Sequence, residues 1–273
     1  MKPTGELQQK AQALADLAIR DGLQGALQFC AFRDGKCVVD VWAGTMATDP
    51  DAAWIDGRTL FPIFSTEKPL LATAVHRTVE RGMLAYDRPV SDYWPEFRGG
   101  GKERLTVREM LGYRCGLPDD KPGAGLDLKS LERRADWQGM LQWYASCVPE
   151  IEPGTTQRYM PRSYGWALGG LLEKVWKRPL NDILLEQVLE PSGMGYGLWG
   201  GADDLSRVFG HGGVGGSEGL CDRSRRLTVG YTCNFDNAPP KLREAFYSLV
   251  GMRWRYWDED VNIQDLQMAT MKR

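Results

Sequence analysis

Patterns typical of β-strands lie at both ends of this chain, and a long stretch of helical patterns lies between them. Near the N-terminus, GALQFCAF and CVVDVWAG flank an Asp34-Gly35 pair, which is a strong signal for a β-hairpin. Near the other end, GLC and RLTVGYTCN flank residues 222–225 and predict a second hairpin. These patterns favour one antiparallel sheet built from both ends of the chain, with a helical lobe inserted between them.

Two amphipathic segments frame this arrangement. Apolar side chains recur at helical spacing over residues 5–22 and again in KLREAFYSLVGM. We therefore expect an α/β fold of the α+β type, in which terminal helices flank the antiparallel sheet. Residues 1–64 and 205–252 would form the sheet subdomain and residues 65–204 a mostly helical subdomain, whereas the tail 253–273 has no clear pattern.

Charge and composition restrict the partners and the location. The 34 basic side chains nearly balance the 36 acidic ones, which gives no electrostatic reason to expect nucleic acid or a membrane as a partner. No apolar run is long enough for a transmembrane helix, and residues 1–22 do not resemble a signal peptide. We therefore expect a cytoplasmic protein whose six cysteines are reduced thiols.

A zinc site built from histidine or cysteine is not expected from this composition. The chain has two histidines, and its six cysteines form no C-x-x-C pair. We expect neither a metal nor an organic cofactor.

The first candidate for chemistry is Ser65-Thr66-Glu67-Lys68, at the start of a predicted helix. Residues three apart share a helix face, so the lysine amine can approach the serine hydroxyl. Serine needs a base to become a nucleophile, and lysine serves when burial or a neighbouring cation lowers its pKa. The pattern is short, and by itself it favours the ordinary interpretation, with Ser65 as a helix cap and Lys68 in solvent.

Two further segments carry candidate groups. Tyr159, in GTTQRYMPRSYGWALGG, is either a proton shuttle in a cleft or a packing residue. His211 lies in a glycine-rich run over residues 210–216, which indicates either close backbone approach or a flexible loop. A backbone N–H in such a run can stabilise an oxyanion.

One rival motif is excluded by chain order. Residues 215–219 fit G-x-S-x-G, the nucleophile elbow of α/β-hydrolases. That fold places its catalytic histidine after the serine, and no histidine follows residue 211.

Taken together and in order, these segments resemble the serine β-lactamase-like superfamily, in particular the esterases related to class C β-lactamases. The segments that carry the resemblance are FPIFSTEK, LAYDRPVSDYWPEF, GKERLTVREMLGYRCGLP, PGTTQRYMPRSYGWALGGLLEKV, EPSGMG and FGHGGVGGSEG. The similarity spans about residues 8–235. It implies a β-lactamase/transpeptidase-like fold.

The resemblance also implies roles for individual residues. Ser65 matches the acylated nucleophile, Lys68 its neighbouring base, and Tyr159 the tyrosine that assists proton transfer. His211-Gly212-Gly213 occupies the position of the third motif. The backbone N–H groups of Ser65 and Val214 would form the oxyanion hole.

The chain departs from the family pattern at several positions. Tyr159 is followed by Met160 and Pro161, so no side-chain amide is available there to recognise a β-lactam. Pro69 follows Lys68 directly, and Tyr113 stands where many relatives have histidine. The segment between Tyr159 and His211 is also much shorter than in relatives, which predicts a more open cleft.

The leading hypothesis is a serine hydrolase that acts on a small carboxylic ester through an acyl-enzyme on Ser65. The alternatives are an amide-bond hydrolase of the β-lactamase or D-peptidase type, or a scaffold that the short segment has left without activity. The expected partner is a small-molecule ester, and a homodimer would complete the open edge of the cleft.

Overall fold

The computed structural model describes residues 3, 5–46, 52–119, 136–189, 191, 208–213, 215–234 and 240–252. The chain divides into two compact units. The first unit is Met1–Pro69 with Tyr196–Arg273, and the second unit is Leu70–Gly195. The predicted oxyanion donor Val214, the tail 253–273 and residues 192–207 of the short segment lie outside the described residues.

The described residues form seven α-helices and five β-strands. The helices are α1 (Glu6–Arg20), α2 (Lys68–Glu80), α3 (Val107–Leu111), α4 (Trp137–Ser146), α5 (Ser163–Trp176), α6 (Leu180–Leu184) and α7 (Pro240–Leu249). The strands are β1 (Ala26–Arg33), β2 (Lys36–Gly44), β3 (Val208–Gly212), β4 (Glu218–Asp222) and β5 (Leu227–Cys233). Short 3-10 turns occupy Phe64–Glu67 and Val90–Asp92, and a π-helical turn follows α6 at Leu185–Leu189.

The five strands form one antiparallel sheet in the order β2-β1-β5-β4-β3. Both predicted hairpins are confirmed, and β1 pairs with β5, so the two ends of the chain share one sheet. In the first hairpin, Asp34 and Gly35 both have positive φ, at +53° and +72°, as the tight turn requires. Strand β3 was not predicted, because its glycines weaken the β-pattern.

The core of the first unit lies between the sheet and helices α1 and α7. Ala11, Ala15 and Ala18 form a fully buried stripe on α1, and Phe246 is fully buried on α7. These residues share one apolar cluster with alternate residues of β1, β2 and β5, including Phe29, whose ring centroid lies 4.8 Å from that of Phe246. The predicted antiparallel sheet with terminal helices is therefore confirmed.

The second unit is helical and is centred on buried aromatic side chains. The ring of Phe97 lies 5.2 Å from that of Trp94 and 6.0 Å from that of Tyr144. Gly170 of α5 passes directly over this cluster, because a Cβ at this position would come within 2.7 Å of Trp94 and Leu141. The glycine thus lets α5 approach its neighbours closely.

A capping box begins helix α3 in the second unit. The Thr106 side chain accepts from the Glu109 N–H, and the Glu109 carboxylate accepts from the Thr106 N–H at 2.8 Å. This box fixes the start of the helix that leads to Tyr113. No helix in the described part of the chain is both long and apolar enough to cross a membrane.

Candidate active site

Ser65 lies in a sharp turn directly before helix α2. The residue before it, Phe64, has a φ of +47°, which is a strained conformation for a residue other than glycine. The turn is closed by the Thr66 N–H, which donates to the Ile63 carbonyl at 3.1 Å. The sequence therefore places the hydroxyl at the N-terminal end of a helix, where the helix dipole favours developing negative charge.

The structure brings Ser65 and Lys68 together. Lys68 Nζ lies 2.8 Å from Ser65 Oγ and is hydrogen-bonded to it. Lys68 is only 3% exposed, whereas Ser65 is half-buried, so the contact has little competition from water. At this distance a proton can pass between the hydroxyl and the amine without rearrangement of either side chain.

The third motif also reaches the nucleophile turn. A Cβ at Gly213 would lie 2.1 Å from the Ile63 carbonyl oxygen and 2.9 Å from Thr66 Oγ1, so only glycine fits there. Thr66 Oγ1 donates to the Ser217 carbonyl at 3.2 Å, and the Gly213 N–H donates to the same carbonyl at 2.7 Å. The close backbone approach indicated by the glycine-rich run is thus confirmed at Gly213.

His211 is half-buried on strand β3, opposite Gly219 of β4. Burial lowers its pKa below the usual 6.5, and the charge of Lys68 adds to this effect, although a hydrogen bond with the Gly212 carbonyl opposes it. The imidazole is therefore neutral at pH 7, and it adds no positive charge beside Lys68.

Tyr159 belongs to the second unit and is 44% exposed. Its ring packs edge-on against Tyr113 with a centroid distance of 5.3 Å, and Tyr113 in turn packs on the buried Tyr164 at 4.5 Å. The preceding Arg158 donates from its N–H to the Tyr113 carbonyl and from its guanidinium to Glu150. These contacts hold the tyrosine in place while part of its side chain stays in solvent.

The residue after Tyr159 points into the protein. Met160 is buried, and its Sδ lies 3.3 Å from Cys115 Sγ. With Pro161 next in the chain, the two positions after the tyrosine present no polar side chain. The catalytic role of Tyr159, like the roles assigned to the other site residues, stays a prediction.

Sequence reasoning missed the side chains that support the glycine-rich turn. Glu218, Arg243 and Tyr247 are all buried and contact one another, and Arg243 also donates to the Gly216 carbonyl. Glu218 lies two residues before Leu220, on the same face of β4 as this buried apolar residue, and this placement is the signal that would have pointed to Glu218. Among the described residues, no group of three histidine, cysteine or acidic side chains could hold a metal ion.

Comparison with known proteins defines the class of this chain. The family model described as Beta-lactamase matches residues 11–195, and the chain belongs to this family. Its members include serine hydrolases, and the resemblance predicted from the ordered motifs is confirmed.

Two curated relatives carry esterase names. The esterase/beta-lactamase LipL of Mycobacterium tuberculosis is 32% identical over 169 residues, which cover 61% of this chain and 37% of that protein. Esterase EstB of Burkholderia gladioli is 32% identical over 152 residues, which cover 50% of this chain and 37% of that protein. The matches therefore span little more than a third of the length of these relatives.

Solved structures show the same fold at lower identity. A family VIII carboxylesterase superposes with a TM-score of 0.76 at 20% identity, covering 91% of this chain and 99% of that one. A penicillin-binding protein homologue from Caulobacter crescentus gives a TM-score of 0.75 with the same identity and coverage. The predicted β-lactamase/transpeptidase-like fold class is confirmed.

Proposed function

We propose that this protein hydrolyses small carboxylic esters through an acyl-enzyme on Ser65. The observation that carries the proposal is the 2.8 Å contact between Ser65 Oγ and the buried Lys68 Nζ. The esterase names of two relatives support the choice of substrate. The absence of a polar side chain at residues 160 and 161 also favours an ester over a β-lactam.

In the proposed acylation step, Lys68 Nζ accepts the Ser65 proton as Oγ forms a bond to the ester carbonyl carbon. The N–H groups of Ser65 and Val214 stabilise the oxyanion. When the tetrahedral intermediate collapses, the bond to the alcohol oxygen breaks, and Lys68 and Tyr159 return the proton to the leaving alkoxide. Water then attacks the acyl-enzyme carbonyl carbon while Lys68 accepts a proton from this water. The bond to Ser65 Oγ breaks, Lys68 returns the proton to Oγ, and the carboxylic acid is released.

The first test is covalent labelling of the pure protein with a fluorophosphonate, followed by mass spectrometry of the modified peptide. We expect an adduct on Ser65 that Ser65→Ala abolishes and that the control Ser248→Ala, on the exposed side of α7, leaves unchanged. Absence of an adduct on the folded protein would contradict the proposal and favour the scaffold alternative.

A second experiment separates ester from amide substrates. The second candidate, β-lactam hydrolysis, is favoured by the name of the LipL relative. We expect p-nitrophenyl esters to be turned over much faster than the chromogenic cephalosporin nitrocefin. Faster nitrocefin turnover would assign the protein to the amide-bond hydrolases instead.

A further inference from the structure

A buried polar cluster contacts the turn between strands β3 and β4 at the Gly216 carbonyl. It consists of Glu218, Arg243 and Tyr247, each no more than 6% exposed. Glu218 is the first residue of β4 and pairs with Gly212 of β3. Arg243 and Tyr247 lie four residues apart on α7 and therefore on one face of this helix.

The three side chains are connected to each other and to the turn. Tyr247 Oη donates to Glu218 Oε2 at 2.6 Å, and Arg243 Nη1 lies 3.6 Å from the same oxygen. Arg243 Nη1 also donates to the Gly216 carbonyl at 3.1 Å. The guanidinium thus joins a buried carboxylate on the sheet to the backbone of the glycine-rich turn.

The turn itself has little intrinsic stiffness. Gly215 and Gly216 have φ values of +91° and +100°, which suit glycine and few other residues. Inside the turn, the Gly216 N–H donates to the Gly213 carbonyl at 3.0 Å, and the Gly213 N–H donates to Ser217. Because glycine backbones are the most flexible, a contact from outside the turn contributes strongly to fixing its geometry.

The contacts continue from this turn to the nucleophile. Ser217 accepts from Thr66, the residue after Ser65, and Gly213 lies against the Ile63 carbonyl. A shift of the turn would therefore move the third-motif backbone relative to Ser65. Oxyanion donors act only when they are held in place before the reaction, and displacement by about 1 Å costs a large factor in rate.

A role in stability alone does not account for the cluster. Buried ion pairs generally contribute little net stability compared with apolar side chains of similar size. What this cluster supplies is a fixed hydrogen bond, in which the Arg243 guanidinium donates to the Gly216 carbonyl. We propose that Glu218, Arg243 and Tyr247 are positioning residues that hold the glycine-rich turn, and with it the third-motif backbone, against the Ser65 turn.

This inference rests on the proposed ester hydrolysis, and Arg243→Met tests it. We expect kcat for a p-nitrophenyl ester to fall about 10- to 100-fold with KM changed less than about twofold, in protein that remains folded by circular dichroism. Arg243→Lys, which can still donate to Gly216, should recover part of kcat. The control is Arg33→Met, because Arg33 also joins the sheet to the end of α7 through the Val250 carbonyl at 2.6 Å, and it should leave kcat unchanged.

A milder variant covers the case in which Arg243→Met does not fold. Tyr247→Phe removes only the hydroxyl and keeps the ring packed near Phe29, at a centroid distance of 6.2 Å. We expect a smaller loss of kcat, again without a matching change in KM. Unchanged kcat in the folded variants, or an equal loss in Arg33→Met, would overturn the positioning role.

A readout that does not depend on activity separates this inference from the proposed function. Amide hydrogen exchange at Gly213 and Gly216 should be faster in Arg243→Met than in the unmodified protein or in Arg33→Met. If the unmodified protein neither labels at Ser65 nor cleaves esters, the proposed function fails while this measurement still decides whether the cluster holds the turn. Equal exchange rates in all three proteins would contradict the positioning role.

Discussion

Two backbone positions control where the Ser65 hydroxyl lies. Phe64 accepts a strained φ of +47° so that the chain can turn into α2, and Gly213 leaves room for the Ile63 carbonyl on the other side. Neither effect depends on the chemistry of a side chain. The position of the nucleophile is therefore sensitive to small changes in the surrounding backbone.

Gly213→Ala is expected to slow fluorophosphonate labelling of Ser65 by about 100-fold or more. The new Cβ would lie 2.1 Å from the Ile63 carbonyl oxygen, so the nucleophile turn would have to move. Gly165→Ala is the control, because a Cβ on this residue of α5 would have no atom within 4 Å. The rate of fluorophosphonate labelling measures both, and equal rates would contradict the expectation.

The lowered pKa values of the two histidines predict how the free energy of unfolding depends on pH. Burial lowers the folded-state pKa of both His76 and His211 below the usual 6.5. Between the folded and unfolded pKa values the unfolded chain binds more protons, so the free energy of unfolding should fall as pH falls through the window just below 6.5. Above that window the stabilising contribution is complete.

The variant His76→Gln/His211→Gln checks this pH dependence. Because the chain contains only these two histidines, the double variant should lose the slope in the free energy of unfolding just below pH 6.5. Urea titrations at several pH values between 7 and 5 measure it. A slope as steep as that of the unmodified protein would show that other groups are responsible.

At the scale of helices and strands, the sequence patterns predicted the elements that depend on residues close together in the chain. The hairpin at Asp34-Gly35 follows from its turn residues, and α1 follows from its apolar spacing. Strand β3 escaped prediction because its glycines weaken the β-pattern, and pairing with β4 stabilises it instead. The contact that caps α5 was not predicted either, because Asp119 lies 44 residues before Ser163 in the sequence.

Asp119→Ala should destabilise the second unit by about 1–2 kcal/mol. Asp119 Oδ1 accepts from the Ser163 N–H at 2.7 Å and from Ser163 Oγ at 2.6 Å, so the first turn of α5 would lose its acceptor. Asp119→Asn keeps an acceptor oxygen and should recover most of the loss. Chemical denaturation compares the three proteins, and an unchanged midpoint for Asp119→Ala would contradict the prediction.

At the scale of the whole molecule, the order of the motifs predicted the fold class and the family. The spacing of Ser65 and Lys68, three residues apart on a predicted helix, predicted that their side chains would meet. The motif order did not predict the contacts of Arg243 with Glu218 and Gly216, because these contacts depend on how α7 packs on the sheet. Pairings between distant segments follow from tertiary packing, which a single sequence does not display.

The stability of the first unit should depend strongly on helix α7. Phe246→Ala is expected to reduce the free energy of unfolding by about 3–5 kcal/mol, because this fully buried ring packs on both Phe29 and Tyr231. Leu249→Ala, at a partly buried position of the same helix, should cost clearly less. Urea denaturation measures both, and equal losses would show that the ring is not central to this core.

The division of the chain into units has a consequence for protein synthesis. The second unit is continuous, but the sheet of the first unit needs β5 to pair with β1. Gly213 leaves the ribosome about 145 residues after Lys68, which takes roughly 7–30 s at ordinary translation rates. The nascent chain therefore carries its serine and lysine long before the backbone that completes their surroundings, so the proposed reactivity arises only after the glycine-rich turn has been synthesised.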